Sequence, residues 1–232
     1  MKNRSDITVQ LVNVNALDEH VVQAARVSTQ GSDSITSTGS PAGLINFLMR
    51  DRHGSPFEHT SFTFLVEAPV FVAREHMRHR AGWSYNEESG RYKELEGVFY
   101  IPSLSRPLLQ RGKPGAYEFV SGSDTHFSRM VADLFYAYGA SYDAYKDMLK
   151  AGIAREIARC ALPVGLFTSY YATCNARSLM HFLSLRTRSA DATYPSFPQR
   201  EIELVAEQME KTFQAHMPST HAAFVEHGRV AP

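Results

Sequence analysis

LFTSYYATCNARSLMHFLSLR, residues 166–186, carries two periodicities in one stretch. Residues 166–174 alternate as a strand does, whereas Leu179, Phe182 and Leu183 recur at helical spacing between Ala176 and Arg186. Asn175 falls at the junction. There its side chain can cap exposed amides, and the positive end of the following helix favours an anion. An ordinary capping asparagine is an equally open reading. Arg177 follows in the first turn, and Arg186 closes the apolar stripe. A charge on such a stripe is costly unless it is paired, so Arg186 is either half of a buried ion pair or a residue with a task.

Outward from this unit, strand and helix signals follow no regular βαβ alternation. Residues 7–14 and 61–67 read as strands and 99–102 as a short one. Helices are expected over 16–27, from the Ser40-Pro41 cap to Arg50, from Pro69 through Arg80, and over 153–161 before Pro163. A long helix should run from Ser123 or Asp124 to Gly152, and a last one over 201–216. Val131, Leu134, Phe135, Tyr138 and Tyr142 mark the long helix's buried face, either core or subunit interface. Residues 28–40, rich in Ser, Thr and Gly, read as a mobile loop able to close over a ligand. The fold expected is α+β: a single domain over 1–232, with an antiparallel or mixed sheet flanked by helices, one of them long.

Composition narrows the function. The 232 residues are 44% hydrophobic, enough for a substantial core, and 24 basic against 24 acidic side chains leave no net charge. Such a chain has no global field to attract a polynucleotide, so no nucleic-acid partner is expected. Cys160 and Cys174 form no C-x-x-C pair, the first ten residues are polar, and no run is long enough to cross a bilayer. Two reduced, buried thiols and a soluble cytoplasmic protein without membrane partners are expected.

Against that neutrality, residues 78–92, RHRAGWSYNEESGRY, concentrate Arg78, Arg80 and Arg91 with Ser84, Ser89 and Gly90. Guanidinium forks and hydroxyls of this kind suit a small phosphorylated ligand, although a solvated charged loop has the same composition. On a helix ending there, Arg74/Arg78, Glu75/His79 and His76/Arg80 would lie one turn apart. Basic groups at a helix C-terminus also compensate the dipole, by about 0.3–1 kcal/mol each. His53, His59, His76 and His79 with Glu58 raise a metalloenzyme reading, but no HExxH or Cys-His spacing supports it. A non-catalytic nucleotide-binding module is the other rival.

Arg78-His79-Arg80, followed after eight residues by Ser89, resembles the signature of the flavin-dependent thymidylate synthases. HGSPFEH (53–59), REIARCALP (155–163) and NARSLMHFLSLR (175–186) are similar to that family's other blocks, in the same order; AARVS (24–28) adds a weaker match. The resemblance implies reductive methylation of dUMP to dTMP. Its carbon donor is 5,10-methylenetetrahydrofolate, its hydride donor FAD reduced by NADPH, and it needs no metal and no cysteine nucleophile. It assigns FAD binding to His53, Ser55, Arg78, His79, Arg80, Glu87, Asn175, Arg177 and His181. It assigns dUMP to Glu75, Arg78, Glu87, Ser89, Gly90, Arg91, Arg159 and Arg186, with Arg186 also catalytic through the uracil ring. It further implies a homotetramer with shared active sites. Glu75 stands where the family usually has Gln, His76 replaces an aromatic residue, and 187–199 is longer and richer in proline and aromatics.

Overall fold

The computed structural model describes residues 1–36, 39–113 and 116–232. In chain order the elements are β1 (Lys2–Arg4), β2 (Thr8–Asn15), α1 (Asp18–Gln30), α2 (Pro41–Arg50), β3 (Ser61–Pro69), α3 (Val70–His76), β4 (Trp83–Glu87), β5 (Val98–Tyr100), β6 (Leu109–Lys113), β7 (Ala116–Val120), α4 (Asp124–Lys150), α5 (Arg155–Ala158), β8 (Phe167–Cys174), α6 (Ala176–Arg186), α7 (Arg200–His216) and α8 (Pro218–Glu226). Strands and helices are mixed without βαβ repeats, the α+β class that the sequence implies. The chain forms two compact units. One comprises Met1–Asp6, Ala68–Ala73 and Glu87–Ser169, the other Ile7–Glu67, Arg74–Asn86 and Tyr170–Pro232.

In the first unit, α4 supplies the core wall. Ser123 accepts from the His126 amide while the His126 ring takes the Ser123 N–H, a reciprocal cap that starts the helix where the sequence places it. Phe99 of β5 stacks on Tyr138 at 4.8 Å, and Leu134, Tyr142 and Leu166 complete the cluster. Gly165 has no room for a side chain because its Cβ would run into the Tyr138 hydroxyl. The expected apolar stripe on α4 therefore divides. Tyr138 is buried, whereas Phe135 is 52% exposed and joins Phe127, Val131 and Tyr136 along an open groove. β1 pairs with β5 in parallel, and β6 with β7 as an antiparallel hairpin.

The second unit holds most of a four-stranded sheet ordered β2-β3-β8-β4. Alternate residues of β3, namely Phe62, Phe64 and Val66, are buried, and Phe62 meets Phe213 of α7 edge-on at 6.2 Å. The same helix holds β2 through Gln208, which accepts from the Val9 amide and donates to the Ile7 carbonyl.

Four expectations are corrected. The helix expected from Pro69 through Arg80 is only α3 and stops at His76. Tyr85 donates towards the carbonyls of His76 and His79, at 3.0 and 2.9 Å, and Gly82 turns the chain at φ 68°, so Arg78, His79 and Arg80 sit on a turn rather than in a helical collar. Residues 78–92 are not wholly irregular, because Trp83–Glu87 is strand β4. The loop expected over 28–40 is largely helical: α1 continues to Gln30 and a 3-10 turn follows at Gly31–Thr36, while Ser37 and Thr38 lie outside the described residues. Of the two thiols expected to be buried, Cys174 is, but Cys160 is exposed, because along the short α5 and the 3-10 turn that follows it is Ala158 that turns inward while the Cys160 sulfur faces out. α8, which begins at Pro218 with one residue between it and the end of α7 at His216, and the β6–β7 hairpin are further elements without a counterpart in the sequence expectations.

Candidate active site

Where β8 gives way to α6, Asn175 Oδ1 accepts from the Ser178 amide at 2.8 Å, and the Ala176 amide donates to Thr60 Oγ1 at 2.9 Å. The first turn of α6 is thus capped while its positive end still faces outward. In front of it lies a cavity of about 470 Å3, within the roughly 300–1,000 Å3 of small-molecule sites. The turn after α3 contributes His79, Arg80 and Gly82 to its lining, the first residue of β4 contributes Trp83, and α6 with its cap contributes Asn175, Arg177, Ser178 and His181. Arg80 is exposed, with no ion pair among the described residues. Arg177 is tied on two sides, its Nη1 donating to Glu58 and its Nε to the Pro232 carbonyl, each at 2.6 Å. The His181 imidazole titrates below its ordinary value through partial burial and the nearby charges of Arg177 and Arg52. Helix terminus, guanidinium groups and flat ring faces can together hold an anionic aromatic ligand.

Arg186 ends α6. Its Nε donates to His79 Nε2 at 3.0 Å, and its Nη1 donates to Glu75 Oε1 in a close ion pair, both side chains being about one-fifth exposed. His79 Nε2 can accept only from a neutral ring protonated at Nδ1. Burial, then the charges of Arg186 and His181, push its pKa down to about 4. Glu75 moves the other way, burial raising its carboxyl above the usual range against the pull of Arg186, with the negative Glu201 adding to the rise.

His76, flagged in the sequence as an unusual substitute for an aromatic, behaves as one. It is fully buried among Trp83, Tyr85, Tyr170 and Phe182, its Nδ1 lies 3.0 Å from the Tyr170 hydroxyl, and its Nε2 has no partner. Burial and the neighbouring His79 and Arg186 take its pKa to about 3. In the unfolded chain both imidazoles titrate near the ordinary value of 6.5. The unfolded state therefore binds more protons as pH falls from 6.5 towards 4, so stability is full above that window and is lost through it. Urea midpoints measured from pH 7 to 4 should fall steadily, and His76→Phe should flatten the slope; an unchanged slope would show that His76 does not carry it.

The first unit has a smaller cavity of about 250 Å3, lined by Glu87, Gly90, Arg159, Leu162 and Thr168 among others. Thr168 donates to Glu87 Oε1 at 2.6 Å and fixes the carboxylate, and Arg159 is exposed without an ion pair among the described residues. Gly90 is buried where a Cβ would press within 2.7 Å of Leu95. Arg91 pairs with Glu156 at 3.1 Å at the surface, and Ser89 Oγ accepts from the Arg91 amide at 3.3 Å.

Of the residues assigned to flavin, the 470 Å3 cavity gathers His79, Arg80, Asn175, Arg177 and His181. Arg78 is exposed on the same turn; Ser55 is exposed at the start of the 3-10 turn whose Glu58 reaches Arg177, and His53 is exposed just before it. Glu87 belongs to the other unit's cavity. Of those assigned to dUMP, Glu87, Gly90 and Arg159 line that cavity with Ser89 and Arg91 close in sequence, while Glu75, Arg78 and Arg186 belong to the second unit. Trp83, Ser178 and Glu58 also line the cavity, without having been expected there from the sequence. Ser178 could have been found as the third residue after the capping Asn175. Among the described residues no three His, Cys, Asp or Glu side chains cluster to hold a metal ion, and no helix is long and apolar enough to cross a membrane.

Residues 10–219 match the family model described as thymidylate synthase complementing protein. The chain is 59% identical over 236 residues to the flavin-dependent thymidylate synthase of Streptomyces avermitilis, covering 99% of this chain and 95% of the relative. It is 53% identical over 231 residues to that of Tropheryma whipplei, covering 98% and 96%. The crystal structure of the UMP/dUMP methylase PolB from Streptomyces cacaoi bound with 5-Br dUMP superposes over the full length of both chains, with a TM-score of 0.95 and 54% identity. Its complex with 5-Br UMP gives 0.93 and 56%, again over the whole of both chains. Fold, pocket and matches together define an enzyme of the methyltransferase class. The chain belongs to the flavin-dependent thymidylate synthase family.

Proposed function

We propose that this chain methylates dUMP to dTMP with 5,10-methylenetetrahydrofolate as carbon donor and FAD, reduced by NADPH, as hydride donor. The observation that carries the reading is Arg186, a charge held at the end of an apolar helix face with part of its guanidinium uncommitted. FAD would be held by His53, Ser55, Arg78, His79, Arg80, Glu87, Asn175, Arg177 and His181. The capped α6 terminus and Arg80 suit its phosphates, and the Trp83 and imidazole faces suit its rings. Bound and reduced, the flavin supplies the hydride. The chain's own residues bind, orient and stabilise charge. Arg186 donates to the uracil ring as negative charge develops there, which activates C5. Glu75, Arg78, Glu87, Ser89, Gly90, Arg91 and Arg159 complete dUMP binding. The whole of 1–232 acts as one synthase domain, in a cytoplasmic homotetramer whose subunits share active sites; the open apolar groove on α4 is a surface such assembly would cover. Purified protein should be yellow, release FAD on denaturation, bleach anaerobically with NADPH, and form dTMP only with dUMP and the folate. A colourless protein that FAD cannot reconstitute would end this reading.

UMP is a second substrate to assay, because a relative 56% identical over the whole chain is described as a UMP/dUMP methylase and was solved with 5-Br UMP. Methylation of UMP at a rate comparable to dUMP would establish it.

Arg91 and Arg159 contact phosphate before chemistry in this reading. Their alanine variants should raise the dUMP KM with kcat little changed, Arg159 more strongly because Arg91 is already paired with Glu156. A loss confined to kcat would remove them from ground-state binding. The thiols have no part in the reading. Cys174 is buried, which pushes its pKa well above the ordinary value and keeps it protonated, and the sulfur of exposed Cys160 has, among the described residues, a single hydrogen-bond partner, the Glu156 carbonyl at 3.9 Å. Replacing both by alanine should leave turnover within about tenfold, or roughly 1.4 kcal/mol of barrier. Trapping a dUMP adduct on either sulfur would overturn this.

A further inference from the structure

The two groups that bind Arg186 both come from the segment around the end of α3: Glu75 from its last turn and His79 from the turn that follows. That segment is itself pinned. Tyr85 bonds the carbonyls of His76 and His79, and the buried His76 ring wedges between Trp83 and Phe182. The His79 ring stands edge-on to Phe182 at 4.9 Å, four residues before Arg186 on α6, so the acceptor nitrogen is aimed by packing. His79 also lines the 470 Å3 cavity, yet its Nε2 is committed to Arg186.

Arg186 uses two of its five N–H groups on these acceptors, and its Nη2 makes no hydrogen bond among the described residues. A long guanidinium side chain has many rotamers, and two acceptors on different edges remove that freedom before a substrate arrives. We propose that Glu75 and His79 are positioning residues, which hold the Arg186 guanidinium in one plane with Nη2 presented to the pyrimidine of the substrate. The proposal rests on the reading of Arg186 as the uracil-contacting residue. It gives Glu75 and His79 a role through Arg186, in place of direct contact with dUMP and flavin alone.

The test uses FAD-loaded enzyme with rates expressed per bound flavin, so that flavin lost at His79 is not counted as lost positioning. Glu75→Ala and His79→Ala should each lower kcat by about 30-fold or more, approaching the ~100-fold scale of one lost preorganised donor, while the dUMP KM stays within about threefold for His79→Ala and, because Glu75 also borders dUMP, rises by less than about tenfold for Glu75→Ala. Glu75→Gln and His79→Gln retain an acceptor oxygen and should return kcat to within about tenfold of the parent. A merely structural role would not show that rescue. In an Arg186→Ala background the same alanine changes should cost less than about threefold further, since the residue they position is gone. Losses that multiply in that background would overturn the proposal, because Glu75 and His79 would then act independently of Arg186. Near-parental kcat in the single alanine variants would overturn it too. Near-parental turnover in Arg186→Ala alone would instead refute the underlying assignment, before either positioning residue is examined.

Discussion

Replacing Arg186 with alanine should lower turnover at least ~100-fold, the scale on which losing one preorganised donor to developing charge is felt. Bound flavin should stay at the parental level. The expected loss is large because the guanidinium is already oriented by Glu75 and His79, so no reorganisation is needed when charge appears on the pyrimidine. Folding should survive the change. Glu75 keeps about one-fifth of its side chain in solvent and has a raised pKa, so the carboxyl left behind can take up a proton rather than remain a buried bare charge. Measuring kcat, dUMP KM, flavin content and the thermal midpoint on one preparation separates the effects. A variant that unfolds or keeps near-normal turnover would return Arg186 to a purely structural ion pair.

Gly82→Val should abolish flavin binding at the site proposed for it while leaving a folded protein. Gly82 turns at φ 68°, a conformation costing an ordinary residue about 1–2 kcal/mol and a β-branched one more. Its Cβ would also run into Ser178 Oγ and come within 3.0 Å of Asn175 Nδ2. Rotating the Ser178 hydroxyl away would still leave Asn175 Nδ2 at 3.0 Å and Ser178 Cβ at 3.2 Å, and the φ strain remains, so full relief moves the turn bearing His79 and Arg80 or the first turn of α6, and both line the cavity. Bound flavin should fall at least tenfold, or about 1.4 kcal/mol, with far-ultraviolet circular dichroism unchanged. Gly82→Ala combined with Ser178→Ala removes the collision with Ser178 Oγ but neither the backbone strain nor the 3.0 Å approach to Asn175 Nδ2, so flavin should return only in part. Full flavin in Gly82→Val would mean that the cofactor lies elsewhere.

How far the chain could be read in advance varies from element to element. α6 occupies the predicted residues, because its cap, stripe and end are all written locally at Asn175, Leu179 and Arg186. α4 likewise starts at its Ser123 cap. α3 was overextended because helical propensity runs on past His76, and the group that stops it, the Tyr85 hydroxyl, lies on the next strand. β4 was hidden because its aromatic-polar alternation, Trp83-Ser84-Tyr85-Asn86, is only four residues long and sits inside a run of charged and small polar residues. Trp83 and Glu58 could be recognised as pocket residues only once the turn after α3 and the 3-10 turn at Ser55–Glu58 were brought to the α6 terminus.

Residue types, spacing and block order were enough to name the class of fold, the cap at Asn175, the concentration of arginines at 78–91 and the uneasy charge at Arg186. Each is a local property, set by a periodicity of two or 3.6 or by the donors a side chain carries. Which carboxylate meets Arg186 was not of that kind: Glu75 is 111 residues away, and both residues had been singled out without being joined. Nor could sequence say that His76 would be an uncharged ring inside an aromatic cage, or that His79 would turn its Nε2 to Arg186. Those outcomes depend on the packing of α3 and its turn against α6. Burial and neighbouring charge there determine protonation and direction, and neither quantity exists until distant segments share one environment.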